Sequence, residues 1–182
     1  PKSGFAMNFL SLIANCDAHA DFAALSDQDD IWLPEKLERA VSALSEIDRS
    51  IPALYVGRTI ICDEKMNRLR ISPKFSKPPV FRNAVVQSIG GGNTMLLNRK
   101  AVEMVRKTVP DIASVVAHDW WLYMFLTGVG GKVVYDVEPM VLYRQHDRNL
   151  IGANDNPGAS RARLTRIWNG EFRGWMERNL TA

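Results

Sequence analysis

Phe22-Ala23-Ala24-Leu25-Ser26-Asp27-Gln28-Asp29-Asp30-Ile31-Trp32 decides how this chain is read. A four-residue apolar run feeds directly into three carboxylates within four positions. The run is short and bounded by polar residues, so it reads as a buried strand with the aspartates at its carboxyl end. Clustered carboxylates repel and raise each other's pKa, so folding alone gains nothing from them. A hard divalent cation, Mg²⁺ or Mn²⁺, removes that repulsion, because it takes oxygen ligands and commonly holds substrate phosphates as well. The competing reading is a solvated acidic turn in which Asp29 or Asp30 caps the following helix. The segment by itself leaves both readings open.

The surrounding chain sets the class. Its 182 residues suffice for one domain with a real core, and 46% hydrophobic with 24% charged residues is a globular composition. No apolar run approaches the ~20 residues of a membrane span. Cys16 and Cys62 lie outside any CxxC or zinc spacing, which points to cytosolic thiols. The net charge of +3 arises entirely between Arg161 and Ala182, where five Arg face two Glu. This excludes a general polyanion binder, so no nucleic-acid partner is expected. The start at Pro1 without Met suggests a fragment or a trimmed or processed product.

Outward from the aspartates, helices and strands alternate, which predicts an α/β layer fold. Phe5, Phe9, Leu12 and Ile13 have helical spacing over Gly4 to Cys16. Pro34 and Glu35 open a helix with Leu37, Ala40, Val41, Leu44 and Ile47 on one face. Ala53 to Cys62 is strand-like, and Asp63 to Pro79 reads as a surface excursion. A glycine turn at 90–92 leads to a strand over Thr94 to Leu97 and a helix over Lys100 to Val109. His118 to Leu126 is apolar on all sides behind its first two residues, so a buried helix is expected. Lys132 to Tyr135 and Met140 to Tyr143 read as two strands. Asp155 to Ser160 reads as a linker, ahead of a basic amphipathic helix carrying Leu164, Ile167, Trp168, Phe172, Trp175 and Met176 on one face. That helix suits contact with an anionic membrane and equally suits packing against the domain.

Four groups of residues carry chemistry. Asp119 lies at the start of the buried helix, where it is either an N-cap or a general base beside Trp120 and Trp121. His118 orients an acceptor or is merely hydrogen-bonded. Gly90-Gly91-Gly92-Asn93-Thr94 lacks the P-loop ending, so it is a hinge or a backbone approach to a sugar. Arg144 and His146 follow a strand and suit a diphosphate and a metal, as well as an ordinary loop. HExxH and GxSxG are both missing, which argues against zinc protease and serine hydrolase chemistry.

Taken in order, SDQDDIWLPEKL, GGNTMLL, HDWW and YRQHDRN resemble the bacterial family 2 glycosyltransferases, in their rhamnosyltransferase-like branch. The resemblance covers roughly Gly4 to Ala153. It implies a GT-A fold, a Rossmann-like mixed sheet flanked by helices, and inverting transfer from a nucleotide-sugar with a divalent metal. It assigns Asp27-Gln28-Asp29 as the Asp-x-Asp motif, with Asp29 as metal ligand and Asp27 nearer the ribose and phosphate. Asp119 matches the catalytic base. Asp30, Trp32, Gly91, Gly92, Asn93, His118, Trp120 and Arg144 match donor and acceptor contacts, and His146 a metal or phosphate contact. Rhamnose, carried on dTDP, and a saccharide or lipid-linked acceptor of surface polysaccharide synthesis are the expected substrates. The location implied is the cytoplasm, peripheral at the inner face of the membrane. The family's opening βαβ unit would precede Pro1. Residues 1–153 are therefore expected to be the C-terminal portion of the catalytic domain, 154–182 a linker and helix, and the chain alone weakly active or inactive. A bared sheet edge would favour self-association. The rivals are a non-catalytic saccharide-binding or scaffold module and another metal-dependent phosphoryl or nucleotidyl transfer enzyme.

Overall fold

The computed structural model describes residues 4–112, 114–145 and 171–180. Among the described residues six strands form one mixed sheet: β1 (Phe22–Ala24), β2 (Ile31–Trp32), β3 (Ala53–Cys62), β4 (Arg68–Ile71), β5 (Leu96–Asn98) and β6 (Lys132–Arg144). Their order is β1-β5-β3-β6-β2, with β4 also pairing with β3. β3 and β6 are parallel, and β5 is antiparallel to both β1 and β3. β1, β3 and β6 therefore run in one direction and end at the same edge of the sheet. In open α/β sheets that carboxyl edge is where ligands bind.

Alternation along β3 explains the layers. Leu54 and Val56 face a core shared with α1 (Phe5–Ala14), α4 (Arg99–Thr108) and α5 (His118–Gly128). Ala53 and Tyr55 face a smaller core with α2 (Lys36–Ser45). With helices on both faces the strand is buried on both, so its first half, Ala53 to Val56, is apolar without alternation. Arg39 pins α2 to β6 through a two-pronged pair with Asp136, at 2.8 Å and 3.0 Å to one carboxylate oxygen. Tyr55 donates to the same oxygen at 2.7 Å.

The buried helix expected at His118 to Leu126 is α5, and seven of its side chains are buried, from His118 to Leu126. The strand expected over Ala53 to Cys62 has those bounds. Two expectations are corrected. The excursion after Asp63 contains β4, a short hairpin arm whose four residues are all exposed. The two strands foreseen around Asp136 are one strand, β6, which continues through register shifts near Arg58 and Pro139. Proline has no N–H for a ladder, and the shift places it where none is needed. The stretch before the glycine turn folds as a short helix, α3 (Phe81–Val86).

The last described element is α6 (Glu171–Leu180). It contacts α3, and the buried Asn179 accepts a hydrogen bond from Val116 N at 3.1 Å, so this helix packs on the loop that enters α5. The proposed linker and His146 lie outside the described residues. No helix among the described residues is long and apolar enough to cross a membrane.

Candidate active site at the carboxyl edge of the sheet

Leaving β1, the chain crosses the sheet edge through Asp27, Asp29 and Asp30 before entering β2, which pairs with the end of β6. Neither Asp29 nor Asp30 caps α2. β2 and Pro34 intervene, and Glu35 holds the cap position without a side-chain bond. The capping explanation for the acidic run is thereby removed.

Asp30 is tied into the protein on both oxygens. Oδ2 accepts from the Asn93 amide, and Oδ1 accepts from Arg144 N at 3.2 Å. Asn93 belongs to the 3-10 turn Gly92–Thr94, which places the glycine turn directly against the aspartate loop. Burial pushes the Asp30 carboxyl up to about 6; the two hydrogen bonds oppose that, and the charges of Asp27 and Asp29 add to it. Asp27 is also raised, first by burial and then by the charge of Asp29.

Asp119 closes the site from the far side. The helix cap position is Ala117, so Asp119 stands in the first turn of α5 rather than at its cap. Its Oδ1 accepts from Trp120 N at 2.7 Å. Burial raises this carboxyl to about 6, against the lowering effect of backbone hydrogen bonds from Trp120, Gly92 and its own N–H, and the charge of Asp27 raises it further. Asp27 thus acts on both Asp30 and Asp119, so four carboxylates share one electrostatic neighbourhood.

Gly92 is required by space. A Cβ built there would overlap His118 Nε2 and lie 3.0 Å from its Cδ2. The His118 ring cannot retreat easily, since it stacks on Phe9 at a centroid distance of 4.2 Å and is only 6% exposed. Burial lowers its pKa to about 4, so it is neutral at neutral pH. Neither ring nitrogen has a hydrogen-bond partner among the described residues. His118 is therefore a wall behind the glycine turn.

The structure brings together Asp27, Asp29, Asp30, Gly92, Asn93, His118, Asp119 and the backbone of Arg144. Gly91 adds its carbonyl, which accepts from Thr94 Oγ1 at 2.8 Å and from Thr94 N at 3.1 Å and so fastens the turn. Trp120 is turned into the core, with its indole N–H donating to Ala84 O of α3 at 2.6 Å. Trp32 faces α2, and Lys36 Nζ lies 3.7 Å from its ring centroid. Lys36 is 1% exposed and its ammonium has no hydrogen-bond partner among the described residues, so burial pulls its pKa down to about 8. Sequence reading missed Lys36 and Phe9. The four-residue spacing of Trp32 and Lys36 was the available signal for the first; nothing local marks the second.

Among the described residues no group of three or more His, Cys, Asp or Glu side chains is arranged around a common metal position. The donor chemistry at Asp27 and Asp29 nevertheless suits a hard cation: oxygen ligands only, crowded by like charge.

No family model matches the chain. It is similar to the dTDP-rhamnosyl transferase RfbG of Shigella flexneri, with 27% identity over 181 aligned residues covering 93% of this chain and 59% of that protein. The chain thus spans about three-fifths of the length of the curated relative it matches. At that distance the similarity supports a glycosyltransferase-like relationship.

Proposed function

We propose that this chain carries the catalytic edge of a glycosyltransferase of GT-A architecture, which moves a sugar from a nucleotide-sugar to an acceptor hydroxyl with inversion. The observation that carries the reading is the placement of Asp119. It is a partly buried carboxylate raised to about 6, held by the glycine turn and facing the field of a separate aspartate cluster. A general base works best with a pKa near the operating pH. A set of carboxylates that stabilised only the fold would have no reason to be raised together.

In the proposed reaction Asp119 takes the proton of the acceptor hydroxyl. The acceptor oxygen bonds to the anomeric carbon while the bond from that carbon to the diphosphate oxygen breaks, and its electron pair leaves with the nucleoside diphosphate. Asp27 and Asp29 would hold a divalent cation, which when bound supplies positive charge against the departing diphosphate. Rhamnose on dTDP is the donor by analogy with the relative's name, and a saccharide or lipid-linked hydroxyl is the acceptor.

The test is turnover of dTDP-rhamnose against a panel of saccharide and lipid-linked acceptors, comparing the wild type with Asp119→Asn. Loss of a general base is expected to cost about 10²–10⁴-fold in kcat, with Mn²⁺-dTDP affinity unchanged. Near-normal transfer by the variant would remove Asp119 from the role of base.

A further inference from the structure

Asp29 and Asp30 are adjacent; the resemblance makes Asp29 a metal ligand and Asp30 a donor or acceptor contact. Both oxygens of Asp30 are already engaged, one by the Asn93 amide and one by Arg144 N. Those two donors come from different elements, the 3-10 turn Gly92–Thr94 and the end of β6. The same turn contributes the Gly92 backbone N–H, which lowers the pKa of the Asp119 carboxyl. A continuous path therefore runs from the aspartate loop through Asp30 to Asn93, then through one peptide link to Gly92 and across to Asp119. The path also fixes the turn against β6. Within the turn itself, Thr94 Oγ1 bonds back to the Gly91 carbonyl.

We infer that Asp30 is a positioning residue. By bonding the glycine turn and the end of β6 at once, it sets the spacing between the aspartates at 27 and 29 and the carboxylate of Asp119. This rests on the reading of the site given above and goes beyond it in removing Asp30 from the ligands of donor or metal. A carboxylate suits the task because its two acceptor oxygens diverge and meet two N–H donors from opposite sides. Asparagine retains one acceptor oxygen for Arg144 N, and reorientation of the Asn93 amide restores the second contact. Alanine retains neither.

The test uses the 182-residue chain, with Mn²⁺ alone as the probe. Backbone amide exchange is followed at Gly92 and Arg144, Mn²⁺ affinity is measured by paramagnetic resonance, and thermal unfolding monitors the fold. Asp30→Ala is expected to speed exchange at both amides at least tenfold while changing Mn²⁺ affinity less than threefold. Asp30→Asn is expected to restore most of the protection. Asp29→Ala is expected to show the opposite pattern, with Mn²⁺ affinity falling at least tenfold and both amides protected as in the wild type. Should Asp30→Ala fail to fold, Asn93→Ala cuts one arm only, and faster exchange at Gly92 with Arg144 unchanged is the expected result. Wild-type protection of both amides in Asp30→Ala, or of Gly92 in Asn93→Ala, overturns the inference. So does a tenfold loss of Mn²⁺ affinity in Asp30→Ala with protection retained, which makes Asp30 a ligand. If Asp29→Ala binds Mn²⁺ normally, the metal reading fails, and the exchange results still decide the role of Asp30.

Discussion

Gly92→Ala is the substitution whose consequence follows most directly from geometry. The new methyl carbon would sit 3.0 Å from His118 Cδ2 and 3.2 Å from Cε1, and nearer still to Nε2. Carbon atoms at optimal contact are ~3.5–4.0 Å apart, so ring or turn must give way. The ring is trapped between Phe9, stacked at 4.2 Å, and the edge of Phe5 at 6.0 Å. Overpacking of this kind costs about 1–3 kcal/mol. If the turn moves instead, the Gly92 N–H leaves the Asp119 carboxylate, and a hydrogen bond to a charged group contributes about 1.5–3 kcal/mol. Either route converges on roughly 2 kcal/mol, or about 4–8 °C in Tm for a chain of this size. Displacing Asp119 by ~1 Å would also cost about 10²-fold in any transfer activity. The assay is chemical and thermal unfolding in a double-mutant cycle with His118→Ala. His118→Ala is destabilising on its own, because it leaves a cavity against Phe9. It should nevertheless make room for the methyl group, so that Gly92→Ala then costs under about 0.5 kcal/mol. A cost that is the same in both backgrounds would show that His118 is not the obstacle and would refute the reasoning.

The raised carboxyls give the site an unusual pH signature. Asp30 and Asp119 sit at about 6 against 3.8 in the unfolded chain, so their stabilising contribution is full below about 4 and lost as pH rises through about 6. Asp119→Asn should therefore gain stability relative to wild type between pH 5 and pH 7.5; a constant difference in denaturation experiments would contradict the assignment. Saturating Mn²⁺ should raise Tm more at pH 7.5 than at pH 5, where Asp30 and Asp119 hold protons and the cluster is less negative, and Asp29→Ala should abolish the gain; an equal rise at both pH values would argue against carboxylate binding. Lys36 is shifted the other way, to about 8 from 10.5, so its favourable contribution is present above 10.5 and lost as pH falls through about 8. Lys36→Met keeps the length and removes the buried charge, which should stabilise the fold by about 1 kcal/mol at pH 7 after the lost contact with the Trp32 ring is set against it. A destabilised variant would show that the ammonium contributes more than its burial costs.

The parts of the fold legible in the sequence are those where burial is continuous. β3 is apolar without alternation from Ala53 to Val56 because helices cover both of its faces, and α5 is apolar all round behind its first two residues because it lies inside. The parts that were not legible depend on partners far away in sequence. β2 is two residues long and exists only because β6 passes beside it. β4 has no buried residue to announce it. α3 is six residues long, too short for a periodic pattern, yet it supplies the carbonyl that takes the Trp120 N–H. That bond is why Trp120, which resembled a sugar-binding residue, lies in the core. The aspartates, the glycine turn and Asp119 were visible as separate motifs. Residue patterns alone did not bring them together, which only the family resemblance implied, because Asp30 reaches Asn93 across 63 positions and Arg144 across 114.

The arrangement also explains why the glycine turn and the aspartate run have to occur together. A carboxylate raised by burial is costly to keep ionised, and Asp27, Asp30 and Asp119 are all raised in one place. Without added donors the charge would be relieved by protonation or by opening the loop. Four backbone N–H groups, from Trp120, Gly92, Asp119 itself and Arg144, and one side-chain amide, from Asn93, lower the pKa values of Asp119 and Asp30 without neutralising their charge. These donors add no formal positive charge, so the cluster stays net negative and can still attract a cation. An Arg or Lys in their place would pair with the carboxylates and remove that attraction. Gly92 can approach Asp119 only because it lacks a side chain that would meet His118. Site charge, turn composition and the buried imidazole are thus one physical requirement expressed at three separate points in the sequence.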